Sequence, residues 1–296
     1  MPTPPRRPDR RPARPSARGP ERPRGQAPER ARGQAPERGR DCGPERRPRP
    51  ANGGAAEAPR RPRPADDDAP RRPRVIEPEL PADISARDLD RDARAELRGL
   101  PETLADRVAT HLIAAGRALD DDPALARRHA WYARSLAPRL AIVREAAGIT
   151  AYADGDYATA LAELRAVRRI TGDPSHLPLL ADCERGLGRP DRALALGRDP
   201  DVKKLDPAAR VELAIVLSGA RRDRGEYDAA VVGLQGPALD DRQVQPWTAR
   251  LWYAYAAALL DAGRVDDARR WFESVVDVDE DDETDAAERL EELRAR

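Results

Sequence analysis

Three histidines, two cysteines and one dense acidic run are the residues of this 296-residue chain whose types could carry chemistry. His111, His129 and His176 are scattered, with no second histidine four positions on, so the spacing offers no metal pair. Cys42 and Cys183 are too few for a disulfide framework or a structural zinc site, whose ligands come in fours. Cys183 stands between Leu180 and Leu187 at helical spacing and reads as a small core residue; no base partner accompanies it as a nucleophile would require. The phosphate-loop, dinucleotide, nucleophile-elbow and zinc-protease signatures are all missing. The expectation is a chain without catalytic residues, metal or cofactor, and not an enzyme.

The acidic run admits two readings. Asp277, Asp279, Asp281, Asp285 and Glu288 occupy positions 1, 3, 5, 9 and 12 of a calcium-binding EF-hand loop. Asp282, however, stands where the sharp turn wants glycine, Thr284 replaces an apolar residue, and no partner hand is visible. The favoured reading is electrostatic: acids gather before a last helix because its dipole favours negative charge there, with Asp285 and Glu288 as a capping-box-like pair. Sequence leaves open whether residues 277–288 also hold a cation.

Net charge is zero, yet it is sharply divided. Residues 1–74 hold 21 Arg against 10 acids, 18 of the 30 Pro, and no Val, Ile, Leu, Phe, Tyr or Trp. Such a segment cannot bury enough apolar surface to offset roughly 1–2 kcal/mol per residue of backbone entropy, so it reads as a disordered Pro/Arg-rich tail. It repeats RGQAPER at 24–30 and 32–38. Its basic clusters suit weak nucleic-acid or anionic-surface contact, but no aromatic is interleaved for stacking on bases. The first residues lack the apolar core of a signal, and the longest apolar run, 251–260, is half the roughly 20 residues a span needs. The expectation is a cytoplasmic protein with no membrane span. Fifty-one Arg against two Lys suggests a GC-rich bacterial coding sequence.

The elements that must position any site are helices. Residues 75–102 read as a linker with a short helix whose face is Ile84, Leu89, Ala93, Leu97 and Leu100. Beyond it, amphipathic Ala-rich stretches alternate with short breaks, without the period-2 alternation of strands. The breaks recur: Asp121, Gly155, Gly188, Gly225 and Gly263 are 34, 33, 37 and 38 residues apart. A small residue in the first helix of each unit is matched by an alanine twelve positions on: Ala114 and Ala126, Gly148 and Ala160, Ala181 and Ala193, Ser218 and Ala230, Ala256 and Ala268. Leu164, Leu234 and Phe272 follow four residues later. Small pairs let two helices approach closely, and glycine permits the tight turn. Residues 197–205 are an irregular insert, and 285–296 read as a capping helix.

This pattern, over about residues 107–280, resembles a tetratricopeptide repeat array. The resemblance implies an all-α, right-handed solenoid of about five helix pairs with a C-terminal cap, occupying 103–296. It also implies a concave groove lined by the first helices. Carried onto this chain, the groove positions are His111, Ile142, Glu145, Ile149, Tyr152, Asp182, Arg185, Glu212, Ile215, Arg222, Asp223, Arg250, Tyr253 and Asp261. His111, Glu145, Ile149, Tyr152, Asp182, Arg185, Arg222 and Tyr253 are the candidate binding residues. The fifth positions of the units, His111, Glu145, Pro178, Ile215 and Tyr253, do not match the family's chaperone-binding Lys/Asn set. The function so implied is a non-enzymatic adaptor that binds a peptide or partner helix. The alternative is a nucleic-acid-associated regulator that uses the basic arm.

Overall fold

A computed structural model describes residues 75–240 and 243–295. The expected tail, 1–74, and Cys42 within it lie outside the described residues. Twelve α-helices and no strand are found among the described residues: α1 (Arg91–Glu96), α2 (Glu102–Arg117), α3 (Pro123–Leu136), α4 (Ala141–Ala153), α5 (Tyr157–Thr171), α6 (Leu177–Gly186), α7 (Pro190–Leu196), α8 (Pro207–Asp223), α9 (Tyr227–Leu234), α10 (Thr248–Asp261), α11 (Val265–Val276) and α12 (Ala286–Arg294). The chain is all-α, as its periodicity predicts, and no described helix is long and apolar enough to cross a membrane.

Helix starts follow local chemistry. Asp122, Asp156 and Asp206 accept hydrogen bonds from the backbone N–H groups of Leu125, Thr159 and Ala209, satisfying donors that a helix leaves open. Pro123, Pro190 and Pro207 open α3, α7 and α8, where a missing N–H costs nothing. Four helix ends are built alike. Gly155, Gly188, Gly225 and Gly263 have φ of 78°, 71°, 74° and 75°, a conformation a side chain disfavours. The next residue then donates to the carbonyl five positions back: Asp156 to Ala151, Arg189 to Glu184, Glu226 to Arg221 and Arg264 to Leu259, at 2.8–2.9 Å. Asp121 does not match them. The α2–α3 turn has no left-handed residue and instead closes with Asp122 N–H on the Ala118 carbonyl, 2.9 Å away.

Packing is mostly between neighbours in sequence, with α6 and α10 also touching α8. α2 packs on α3, α4 on α5, α6 on α7, α8 on α9 and α10 on α11, while α3–α4, α5–α6, α7–α8, α9–α10 and α11–α12 join them. The buried apolar residues accordingly fall into three successive clusters. Leu97, Val108, Leu112 and Val143 belong to the first, Leu164, Leu177, Leu180 and Leu213 to the second, and Leu251, Tyr255, Trp271 and Phe272 to the third. The small-residue pairs lie at the closest approaches. Ala126, Ala160, Ala193, Ala230 and Ala268 are wholly inaccessible. A Cβ on Gly148 would sit 2.8 Å from the Leu164 side chain, and Ser218 Oγ donates to the Ala230 carbonyl at 3.1 Å. Leucine at 160 or 268 should therefore overpack and cost about 1–3 kcal/mol. Urea midpoints equal to wild type for both variants would show that these alanines are not at the contacts.

Within residues 75–102, expected as a linker with a short helix, Leu97 is buried with Val108, Ala109 and Leu112, and Leu89 and Leu100 pack alongside. The irregular insert contains a short turn. Asp199 caps a 3-10 turn, Pro200–Lys204, and Arg168 of α5 holds both Asp199 (2.9 Å) and Asp201 (3.0 Å). α7 before it is short, and Leu205 after it is buried.

Candidate functional site

On α8, Glu212, Ile215, Gly219 and Arg222 recur at three- and four-residue spacing, so one face carries them all. Asp182 and Arg185 share a face of α6, and Arg250 and Tyr253 one of α10. These faces meet through paired charges. The Tyr152 hydroxyl donates to Asp182 (2.5 Å), and Arg185 bridges Asp182 (2.8 Å) and Asp223 (2.7 Å). Arg222 donates to Asp261 (2.6 Å), while Arg250 joins Glu212 (2.6 Å) to Glu283 (3.0 Å). Most of these groups keep a fifth to two-fifths of their side-chain surface in water, where such pairs are worth about 0–1 kcal/mol each. They set how one helix sits on the next more than they hold the fold.

A cleft of about 420 Å³ lies along this ladder, between α8, α10 and the acidic segment. Ile215, Ala254 and Tyr253 supply apolar surface, Arg185, Arg222 and Arg250 the charge, and Glu283, Thr284 and Asp285 one wall. Gly219 makes room, since a Cβ there would come within 3.2 Å of the Arg185 guanidinium. Tyr253 leans edge-on against Phe272, ring centroids 5.6 Å apart, and burial and Asp285 raise its pKa. A neighbouring cleft of about 440 Å³, lined by Asp182 and Asp223, shares Arg185 with it. The first cleft's lining holds no histidine, cysteine or lysine, and Ser218 Oγ is spent on a carbonyl.

Of the expected binding residues, Tyr152, Asp182, Arg185, Arg222 and Tyr253 come together in this ladder. Glu145 stands apart, paired with His176 at 2.9 Å, and Ile149 is half-buried on α4. Arg185 already gives part of its guanidinium to Asp182 and Asp223, and Arg222 gives its Nε–H to Asp261. His111 is a correction of place. It is wholly buried, because Nδ1 meets His129 Nδ1 at 2.9 Å and Nε2 meets Glu77 at 3.3 Å. Sequence reading left His129, Glu77 and Arg107 unconnected. No spacing rule joins them, since the contact depends on where residues 75–81 lie.

The acidic run is also rearranged. Asp279 accepts from the N–H groups of Glu283 and Thr284 (2.9 Å) and from the Thr284 hydroxyl (2.6 Å). Asp285 precedes α12 but makes no capping bond, so the expected capping box does not form; its carboxylate faces Arg289 at 3.3 Å. Among the described residues no group of three His, Cys, Asp or Glu could hold a metal ion. Cys183 lies fully buried in α6, and burial pushes its thiol up to about 12, away from the thiolate that chemistry would need.

No family model matches the chain, and no curated protein matches it either.

Proposed function

We propose that this chain is a non-enzymatic protein-interaction module, a tetratricopeptide-like right-handed solenoid of five helix pairs closed by α12. In this reading it holds a peptide or partner helix in the cleft beside α8 and α10. The observation that carries the proposal is the cleft itself. Successive first helices, α6, α8 and α10, each contribute residues to one surface, with an aromatic and an aliphatic anchor flanked by guanidiniums. The four like glycine turns and the five small-residue pairs support the repeat reading.

The pairing of the arginines narrows the ligand. Arg185, Arg222 and Arg250 already hold carboxylates in partly exposed pairs, so an incoming charge gains little net energy. Affinity would come from an apolar side chain laid on Ile215, Ala254 and Tyr253, with charge deciding direction and register. For a partner captured with the full chain, Tyr253→Ala should weaken binding by about 1–3 kcal/mol, roughly 5- to 150-fold in Kd. Circular dichroism should remain that of wild type. Unchanged affinity in Tyr253→Ala, with loss on removing residues 1–74, would move recognition to the arm and overturn the proposal.

A further inference from the structure

Residues 75–81, VIEPELP, cross α2 and α3 without entering a helix. Among the described residues no backbone hydrogen bond ties 75–82 to either helix. The segment's polar anchor is one side chain. Glu77 takes both oxygens to Arg107, at 2.9 Å for Oε1 on Nε, and reaches His111 Nε2 at 3.3 Å. Pro78 restricts Glu77 to extended backbone, which projects its carboxylate at small entropic cost. The segment's apolar contacts are partial: Val75, Pro78 and Leu80 are half-buried, Ile76 is 87% exposed, and a cavity of about 810 Å³ lies between the segment and Leu125, Arg128 and His129 of α3. A permanent part of the core would fill that space.

The receiving groups, by contrast, are fixed from behind. A carboxylate only accepts, so His111 presents Nε2–H to Glu77 and its Nδ1 accepts from His129 Nδ1–H. Tyr132 stacks edge-on against His111, ring centroids 4.6 Å apart, and lies under the Arg107 guanidinium at 5.3 Å. If Glu77 left, only water would face His111 Nε2–H and the Arg107 guanidinium, and an incoming carboxylate would restore their charge-assisted hydrogen bonds. The site therefore favours exchange over vacancy.

We propose that Arg107, His111 and Tyr132 form a carboxylate-binding site for an extended, proline-containing acidic peptide of a partner, and that Glu77 occupies it in cis until such a peptide displaces it. The site is separate from the cleft beside α8 and α10 and stands without it. The test uses fluorescence anisotropy of a labelled VIEPELP peptide with three full chains: wild type, one whose residues 75–81 are replaced by Gly and Ser, and that replacement carrying Arg107→Ala. The replaced chain should bind at least tenfold more tightly than wild type. Arg107→Ala, or a peptide with Gln in place of Glu77, should lose at least tenfold again. Thermal melts of the three chains establish that each is folded. Equal binding by wild type and the replaced chain, or equal binding of the Glu and Gln peptides, would overturn the proposal.

Discussion

Replacing Trp271 with alanine should destabilise the C-terminal helices by about 3–5 kcal/mol, the range for removing a fully buried large aromatic. Trp271 is 1% exposed on α11, edge-on to Tyr255 at 5.0 Å and to Trp252 at 5.7 Å, so its loss opens a cavity and breaks two aromatic contacts at once. Its neighbours belong to the cluster that also holds Leu290 and Leu293 of α12. Because packing runs mostly between sequence neighbours, the damage should stay local. Hydrogen exchange should accelerate across α10, α11 and α12, while amides of α2 and α3 keep their wild-type protection. Uniform acceleration along the chain would show that the helices unfold as one cooperative block.

The second large effect concerns a buried charge. Glu163 on α5 is 7% exposed and accepts from Arg134 of α3 at 2.6 Å and from Arg144 of α4 at 2.7 Å, so three helices meet at one carboxylate. Alanine there should cost about 3 kcal/mol, the lower end for breaking a buried pair. The two guanidiniums keep 24% and 23% of their surface in water, which partly rehydrates them when the carboxylate goes. Glu163→Gln keeps an acceptor of the same size and should lose less than alanine does. Urea titrations of the three proteins decide it. Matching midpoints would mean that the carboxylate does not tie the helices together.

The helices and their turns were legible because they rest on local rules. Gly155, Gly188, Gly225 and Gly263 mark positions where only a residue without Cβ is comfortable, and the small-residue pairs twelve apart mark close helix contact. The α2–α3 turn escaped because Asp121 was placed by period alone, while the backbone there closes by a different hydrogen bond. The charged ladder was half legible. The family resemblance implied that Asp182, Arg185, Arg222, Asp223 and Asp261 share one surface, but not who pairs with whom. In a chain with 53 basic and 53 acidic groups many pairings are close in energy, and tertiary placement chooses among them. The surroundings of His111 were not legible for a related reason: helical position fixes a direction, and residues 75–81 decide what covers it.

The division of the apolar interior into three sequence-local groups bears on how the chain is made. The first draws on residues 97–143, the second on 151–220 and the third on 211–293, with little overlap between them. A chain leaving the ribosome at roughly 5–20 residues per second can close the first before the last helices have been translated. Vectorial synthesis and folding then run in the same direction, and each nascent group shelters its leucines before the next is exposed.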